Sequence, residues 1–194
     1  MASGAENDRT SGGRGLSRYR PRRVALLGAE STGKTSLAQE LGARLGAIVV
    51  TEYLREFCDR EGRVPMMAEQ AGIIAEQERR ERFAVDAAAE RGVAWVICDT
   101  TSLMVALYSI DCFDDPSLLA AAIDRQRRYA ATLVCQPDID WVADGIMRVD
   151  PPTRERIHRQ LVGVLDAHRI RWRAVTGSGE ARVRSALEAL DHFD

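Results

Sequence analysis

The chain has 194 residues, 45% hydrophobic and 29% charged, with a formal charge of −2. That is one domain's length, and no apolar run approaches the roughly 18 residues of a membrane span, so the composition predicts a soluble globular protein with no membrane partner. The basic residues are unevenly chosen: of 27, a single one, Lys34, is lysine.

Residues 1–23 are rich in Gly, Ser and Arg, with six arginines against Glu6 and Asp8 and almost no aliphatic side chains. Such a stretch buries too little apolar surface to offset its ordering entropy, so a disordered basic tail is predicted over 1–21 and a folded domain over 22–194. A nucleic-acid-binding arm is the competing reading of the tail. The acidic balance of the remainder argues against nucleic acid as a main partner. Cys58, Cys98, Cys112 and Cys135 stand far apart, with no CxxC and no Cys/His cluster, and the N-terminus lacks an apolar leader. Free, mostly buried thiols in a reducing, cytoplasmic protein are expected.

From residue 24 onward, short apolar runs alternate with helical patterns. Strands are predicted at 24–27, 47–50, 93–98, 132–135 and 172–175, mostly runs of apolar residues rather than an alternating pattern, as in strands covered on both faces. Between them lie 3–4 spacings at Leu37, Leu41 and Leu45, at Ile157, Leu161, Val164 and Leu165, and at Val183, Leu187 and Leu190; a long helix is predicted from about Met66 to Arg91. Alternating β and α units imply a parallel sheet with right-handed crossovers, an α/β fold in one domain.

The first strand runs into Gly28-Ala-Glu30-Ser31-Thr32-Gly33-Lys34-Thr35, a full GxxxxGK[ST] match between an apolar strand and an amphipathic helix that begins with Ser36 close by. Glycines at 28 and 33 let the backbone turn its N–H groups toward phosphate oxygens, and the helix that follows adds its dipole. Lys34 suits the β/γ-phosphates as a compact charge, and the Thr35 hydroxyl can ligate Mg²⁺. This predicts a nucleotide-binding P-loop NTPase. A Ras-like GTPase reads guanine with a second lysine, which the chain lacks, and an oligomeric AAA+ motor needs a longer chain. A small ATP-dependent kinase or an ATP-binding regulator remains.

Three further stretches carry chemistry. Strand two ends in Thr51-Glu52-Tyr53-Leu54-Arg55-Glu56, where Glu52 is placed to accept a proton from an acceptor hydroxyl and Arg55 to pair with it or meet phosphate. A charged helix start with ordinary pairing explains the same residues equally well. The run from Val93 ends at Asp99, a candidate Mg²⁺ ligand with Thr35, or else a helix cap. Gln77 stands on a partly apolar helix face, where it reads an acceptor base or amide or simply sits at the rim. Glu76 to Arg82 reads as a solvated face. Trp141-Val-Ala-Asp144-Gly precedes Arg148, Arg154 and Arg156. Arginines there could clamp developing charge and exclude water, or decorate a surface loop. Trp141 stacks on an aromatic acceptor or packs in the core.

GAESTGKTSL, TEYLREF, VICDTT and WVADG, in that order, resemble the ribosylnicotinamide kinase domain of NadR and its AAA-domain relatives, over roughly residues 22–190. The resemblance implies a five-stranded parallel sheet in a three-layer sandwich. It also implies ATP-dependent phosphorylation of the 5′-hydroxyl of nicotinamide riboside. Glu52 and Asp99 would then fall at the acceptor and metal side, with Tyr53, Trp141 and Asp144 near the nucleoside and Arg148 and Arg154 in the lid. The nucleotidyltransferase HxGH motif of full-length NadR is absent, so neither adenylyl transfer nor DNA-binding regulation is carried over.

Overall fold

The computed structural model describes residues 20–141 and 150–193. Five strands form one parallel sheet: β1 (Arg22–Leu27), β2 (Ile48–Val50), β3 (Trp95–Asp99), β4 (Ala131–Cys135) and β5 (Arg173–Val175). Between and after them run α1 (Lys34–Leu45), α2 (Tyr53–Glu61), α3 (Gln70–Arg91), α4 (Ser102–Phe113), α5 (Leu119–Gln126), α6 (Pro151–Ala167) and α7 (Gly179–Asp191). The spatial order is β2-β3-β1-β4-β5. The α/β reading and all five expected strands are borne out. Among the described residues no helix is long and apolar enough to cross a membrane.

The central strands β1, β3 and β4 are apolar through most of their length because both faces are covered, whereas the edge strand β5 exposes Arg173 and Ala174. Side chains alternate across the sheet, so Val24 and Leu26 enter one core with Leu37 and Leu41 of α1 and Val183 and Leu190 of α7. Ala25 and Leu27 enter the other, with Leu103 and Leu107 of α4 and Ile157, Leu161 and Leu165 of α6. Burying a side chain of this size contributes about 1.5–3 kcal/mol, so the two layers hold the sheet rigid behind any site built on its edge. Pairing Leu26 with Asp99 on one side and Leu133 on the other brings the carboxyl ends of β1, β3 and β4 level. Strand order reverses about β1, and the crevice beyond those ends is where ligands of open α/β sheets bind.

Two departures from the sequence pattern have local causes. The long helix begins not at Met66 but as a 3₁₀ turn, Met67–Glu69, before α3. The Glu69 carboxylate accepts from the Met66 N–H at 2.8 Å and from both Arg63 nitrogens at 2.7 and 2.8 Å, which fixes a tight entry after Pro65. Helix α4 has no polar face of the usual width, because it is buried nearly all round, and its periodicity is therefore weak. Most of the expected tail (residues 1–19) and the 142–149 segment lie outside the described residues.

Candidate active site

The Gly28–Thr35 loop leaves β1 and enters α1 through backbone conformations that its sequence anticipates. Gly28 has φ +149°, and a Cβ there would stand 2.8 Å from Thr32 Oγ1 and 2.9 Å from the Cys135 carbonyl oxygen, so only glycine passes between loop and β4. Ser31 and Gly33 are left-handed, at φ 57° and 73°. The Thr32 hydroxyl donates to the Ala29 carbonyl at 2.8 Å, and Lys34 Nζ donates to the same oxygen at 3.0 Å. Lys34 is thus folded over its own loop on an exchangeable bond.

A buried arginine supports the loop from behind. Arg182, near the start of α7 and 4% exposed, donates to the carbonyls of Thr32 (2.9 Å), Gly177 (2.6 Å) and Gln136 (3.2 Å) and pairs with Asp138. Asp138 in turn accepts from the Gly177 N–H at 2.7 Å. One guanidinium so joins the phosphate loop to the segments following β4 and β5. In sequence it is one of 26 arginines, and no local pattern sets it apart.

The loop contributes to two cavities. The first, of about 400 Å³, is lined by Gly28, Glu30, Ser31 and Lys34 on one side and by Glu52 and Arg55 on the other. Leu54, Val64, Pro65, Met104, Tyr108 and Phe113 give it an apolar wall, with Gln70, Thr100 and Cys112 completing the lining. The second, of about 420 Å³, lies between Gly33, Ser36, Leu37 and Glu40 of the loop and α1, Ile139, and Ser178 to Val183 at the start of α7. Met104, Tyr108 and Cys112 follow one another at i, i+4 spacing, one face of α4. That spacing is visible in the sequence, but the surrounding apolar residues hide it.

Glu52 holds the N-cap position of α2 without capping it. Its carboxyl is raised above the usual range chiefly by burial; Lys34 and Arg55 pull it down and the charge of Asp99 pushes it further up. Arg55 Nε lies 4.0 Å from its oxygen. Glu56 points elsewhere, bonded to Arg80 at 2.6 and 3.0 Å, so it clamps α2 to α3. The ordinary helix-start reading therefore applies to Glu56, whereas Glu52 and Arg55 face the pocket.

Asp99 is 1% exposed at the end of β3, and its Oδ1 has no hydrogen-bond partner among the described residues. It does not cap α4. Thr101 does, accepting from Leu103 N–H at 3.3 Å while donating to Gln126 at 2.8 Å. Between them Thr100 adopts φ 72°, a conformation that costs a β-branched residue energy and is held by this anchoring. A buried carboxylate oxygen without a donor suits a hard cation, and Thr35 is exposed at the first turn of α1 on the same edge. Among the described residues there is no cluster of three or more His, Cys, Asp or Glu able to hold a metal. The fit is therefore to a Mg²⁺ that relies on substrate phosphates for its remaining ligands, rather than to a protein cage.

Several expected residues lie elsewhere. The Gln77 carbonyl accepts from the Tyr53 N–H at 2.9 Å, so this glutamine caps α2 from α3. The Tyr53 ring lies under the guanidinium of Arg80 at 4.6 Å. Neither lines the pocket, nor does Trp141. Arg154 is 3% exposed and donates to the Ile139 carbonyl at 2.8 Å, which ties α6 to the segment after β4 instead of offering a charge to the crevice. Asp144 and Arg148 fall outside the described residues. Three cysteines are buried and Cys112 is exposed, all unpaired.

An AAA-domain family model matches residues 23–182. The chain belongs to that family. No curated protein matches the sequence. Among solved structures, NadR in complex with NR aligns at TM-score 0.74 and 21% identity, covering 91% of this chain and 52% of NadR. NadR in complex with NAD and AMP-PNP aligns at 0.71 and 20%, covering 91% and 50%. The thymidylate kinase of Ehrlichia chaffeensis aligns at 0.63 and 15%, covering 90% and 100%. The chain thus spans about half of the NadR chains and the whole of a nucleotide kinase. The resemblance to the NadR kinase domain is borne out at the level of the P-loop kinase fold.

Proposed function

We propose that this chain is an ATP-dependent small-molecule kinase that phosphorylates a nucleoside hydroxyl, with the 5′-hydroxyl of nicotinamide riboside as acceptor. The observation that carries the reading is a pocket bounded by the phosphate loop and by an acid that burial has made more basic. A nucleotide switch has no need of an apolar-walled cavity beside its phosphate loop. That NadR, with its bound NR, shares the fold supports the choice of acceptor.

ATP phosphates would lie on residues 28–35 with the base in the second cavity, by Ile139 and the start of α7. The acceptor would enter the first, its ring against Tyr108 and Phe113. Glu52 then orients the hydroxyl and takes its proton as the oxygen bonds to the γ-phosphorus and ADP departs. Lys34 exchanges the Ala29 carbonyl for the phosphate oxygens, and Arg55 adds a second cation on the acceptor side. Mg²⁺, held through Asp99 and Thr35, would neutralise phosphate charge when bound.

Incubation with ATP and a panel of nucleosides tests the reading. Formation of nicotinamide mononucleotide with stoichiometric ADP is the expected result. ATP hydrolysis indifferent to every nucleoside would instead make the chain a regulator.

A further inference from the structure

The residue proposed as the base stands at a helix start that its own side chain does not serve. Glu52 is the N-cap of α2, at φ −66° and ψ 115°, and makes no capping bond. That position favours short side chains whose oxygen accepts from the first turn, so the start of α2 breaks a local rule and its N–H groups need an acceptor from elsewhere. One comes from α3, where the Gln77 carbonyl accepts from the Tyr53 N–H at 2.9 Å. A peptide group is planar, so fixing that N–H fixes the plane that also holds the Glu52 Cα.

Gln77 is poorly suited to its place on packing grounds alone. It is 3% exposed and lies one turn from Ile73 and Ile74, which pack in an apolar cluster with Leu54, Phe57 and Val105. Its Oε1 is bonded, while its Nε2 is buried with no partner among the described residues. Burying an amide half-satisfied is costly, and an apolar side chain of the same length would avoid the orphaned donor. Nor does the contact between α2 and α3 depend on it, because Arg80 binds Glu56 at 2.6 and 3.0 Å and lies over the Tyr53 ring. What the glutamine adds is the fixed peptide plane between residues 52 and 53.

We infer that Gln77 is a positioning residue for Glu52: by holding the Tyr53 N–H it aims the carboxylate at the pocket beside the phosphate loop and leaves it free of capping. Gln77 lines neither cavity, so its effect on the chemistry passes through Glu52. The inference rests on the kinase reading above and adds to it a residue that meets neither nucleotide nor acceptor.

Phosphorylation assays on wild type, Gln77→Met, Glu52→Gln and the double variant form the test. Gln77→Met removes the acceptor oxygen and keeps the length. It should lower kcat about 10- to 100-fold, the range for a slightly misplaced catalytic group, with KM for ATP and for the nucleoside within about threefold. In the double variant kcat should stay within about threefold of Glu52→Gln alone, because a base that is gone cannot be misplaced. The melting temperature of Gln77→Met should fall by no more than about 4 °C, since removing the orphaned donor offsets the lost bond. Losses that multiply in the double variant, or a Gln77→Met kcat within about twofold of wild type, would overturn the assignment and leave Gln77 a helix cap. If the methionine variant does not fold, Gln77→Asn, which draws the oxygen back by one methylene, takes its place in the same cycle. If the wild type phosphorylates no nucleoside, the kinase reading fails first, and the carbon-13 signal of the Glu52 carboxyl, assigned with Glu52→Gln, decides the positioning claim. A shift of that signal in Gln77→Met supports it, and an unchanged signal overturns it.

Discussion

Replacing Arg182 by methionine separates the phosphate loop from its support while keeping most of the side-chain volume. The guanidinium is nearly inaccessible and serves three carbonyls and Asp138. Removing one partner of a buried ion pair costs about 3–5 kcal/mol. Asp138 is 35% exposed and can rehydrate, which lowers its share. The carbonyls of Thr32 and Gln136 stay behind without their donor, at about 1–3 kcal/mol for a buried unsatisfied group. These costs overlap, and a net loss of about 3–4 kcal/mol follows, which lowers the melting temperature by about 6–16 °C for a protein of this size. A second effect is more specific. Thr32 lies within the loop that would receive phosphate, so losing its bond to Arg182 should weaken binding of an ATP analogue about tenfold, the equivalent of ~1.4 kcal/mol. Thermal unfolding with and without the analogue, together with calorimetric titration, reads both quantities. A melting temperature lowered as expected with nucleotide affinity changed less than twofold would make Arg182 a staple of the fold and refute its role in shaping the loop.

Lys34→Arg, which keeps the charge, should cost at least 100-fold in kcat, because a planar fork cannot replace a compact ammonium over the tight loop; steady-state phosphorylation assays measure it. Glu52→Gln should leave ATP-analogue affinity within threefold and lower kcat at least 100-fold, the low end for a general base, and near-full activity would remove Glu52 from that role. Glu69, drawn down to about 2 by the Arg63 guanidinium and the Met66 N–H, contributes stability that is complete above its ordinary value of 4.5 and is lost as pH falls toward 2. Hydrogen exchange of residues 62–69 should accordingly differ between wild type and Glu69→Gln at pH 6 and converge near pH 2. A difference that persists unchanged to pH 2 would contradict the linkage.

The sheet and the phosphate loop were readable because each is encoded locally. Short, largely apolar runs bounded by polar residues mark the strands, of which the central three are covered twice, and GxxxxGK[ST] specifies backbone positions that only adjacent residues determine. The apolar wall of the first cavity was not readable for the opposite reason. Val64 and Pro65, Gln70, and the Met104, Tyr108 and Phe113 face of α4 come from three segments that meet only in the folded chain. Gln77 attracted attention because a polar residue on an apolar helix face stands out, yet the same pattern describes an amide capping a neighbouring helix. Seven positions earlier, Gln70 broke no periodicity, being the first residue of its helix. Arg154 misled in a related way. Its place after β4 suggested a mobile cation, whereas its burial against Ile139 depends on how α6 packs, which no single segment states.

Arginine and lysine are divided in this chain by what each geometry permits. A guanidinium can hold several carbonyls and a carboxylate at fixed angles, and the buried Arg182 does so; Arg23 likewise bridges to Glu81 at 3.1 Å while lying over the Tyr129 ring. Such cations are tied into the packing and cannot turn toward a ligand without dismantling it. Lys34 instead donates to a carbonyl of its own loop. Its ammonium can leave that oxygen for a phosphate by rotating a flexible stem, and the phosphate replaces the bond given up. Lysine thus stands where a cation that received phosphate would have to move, while Arg23 and Arg182 are held in place by the packing.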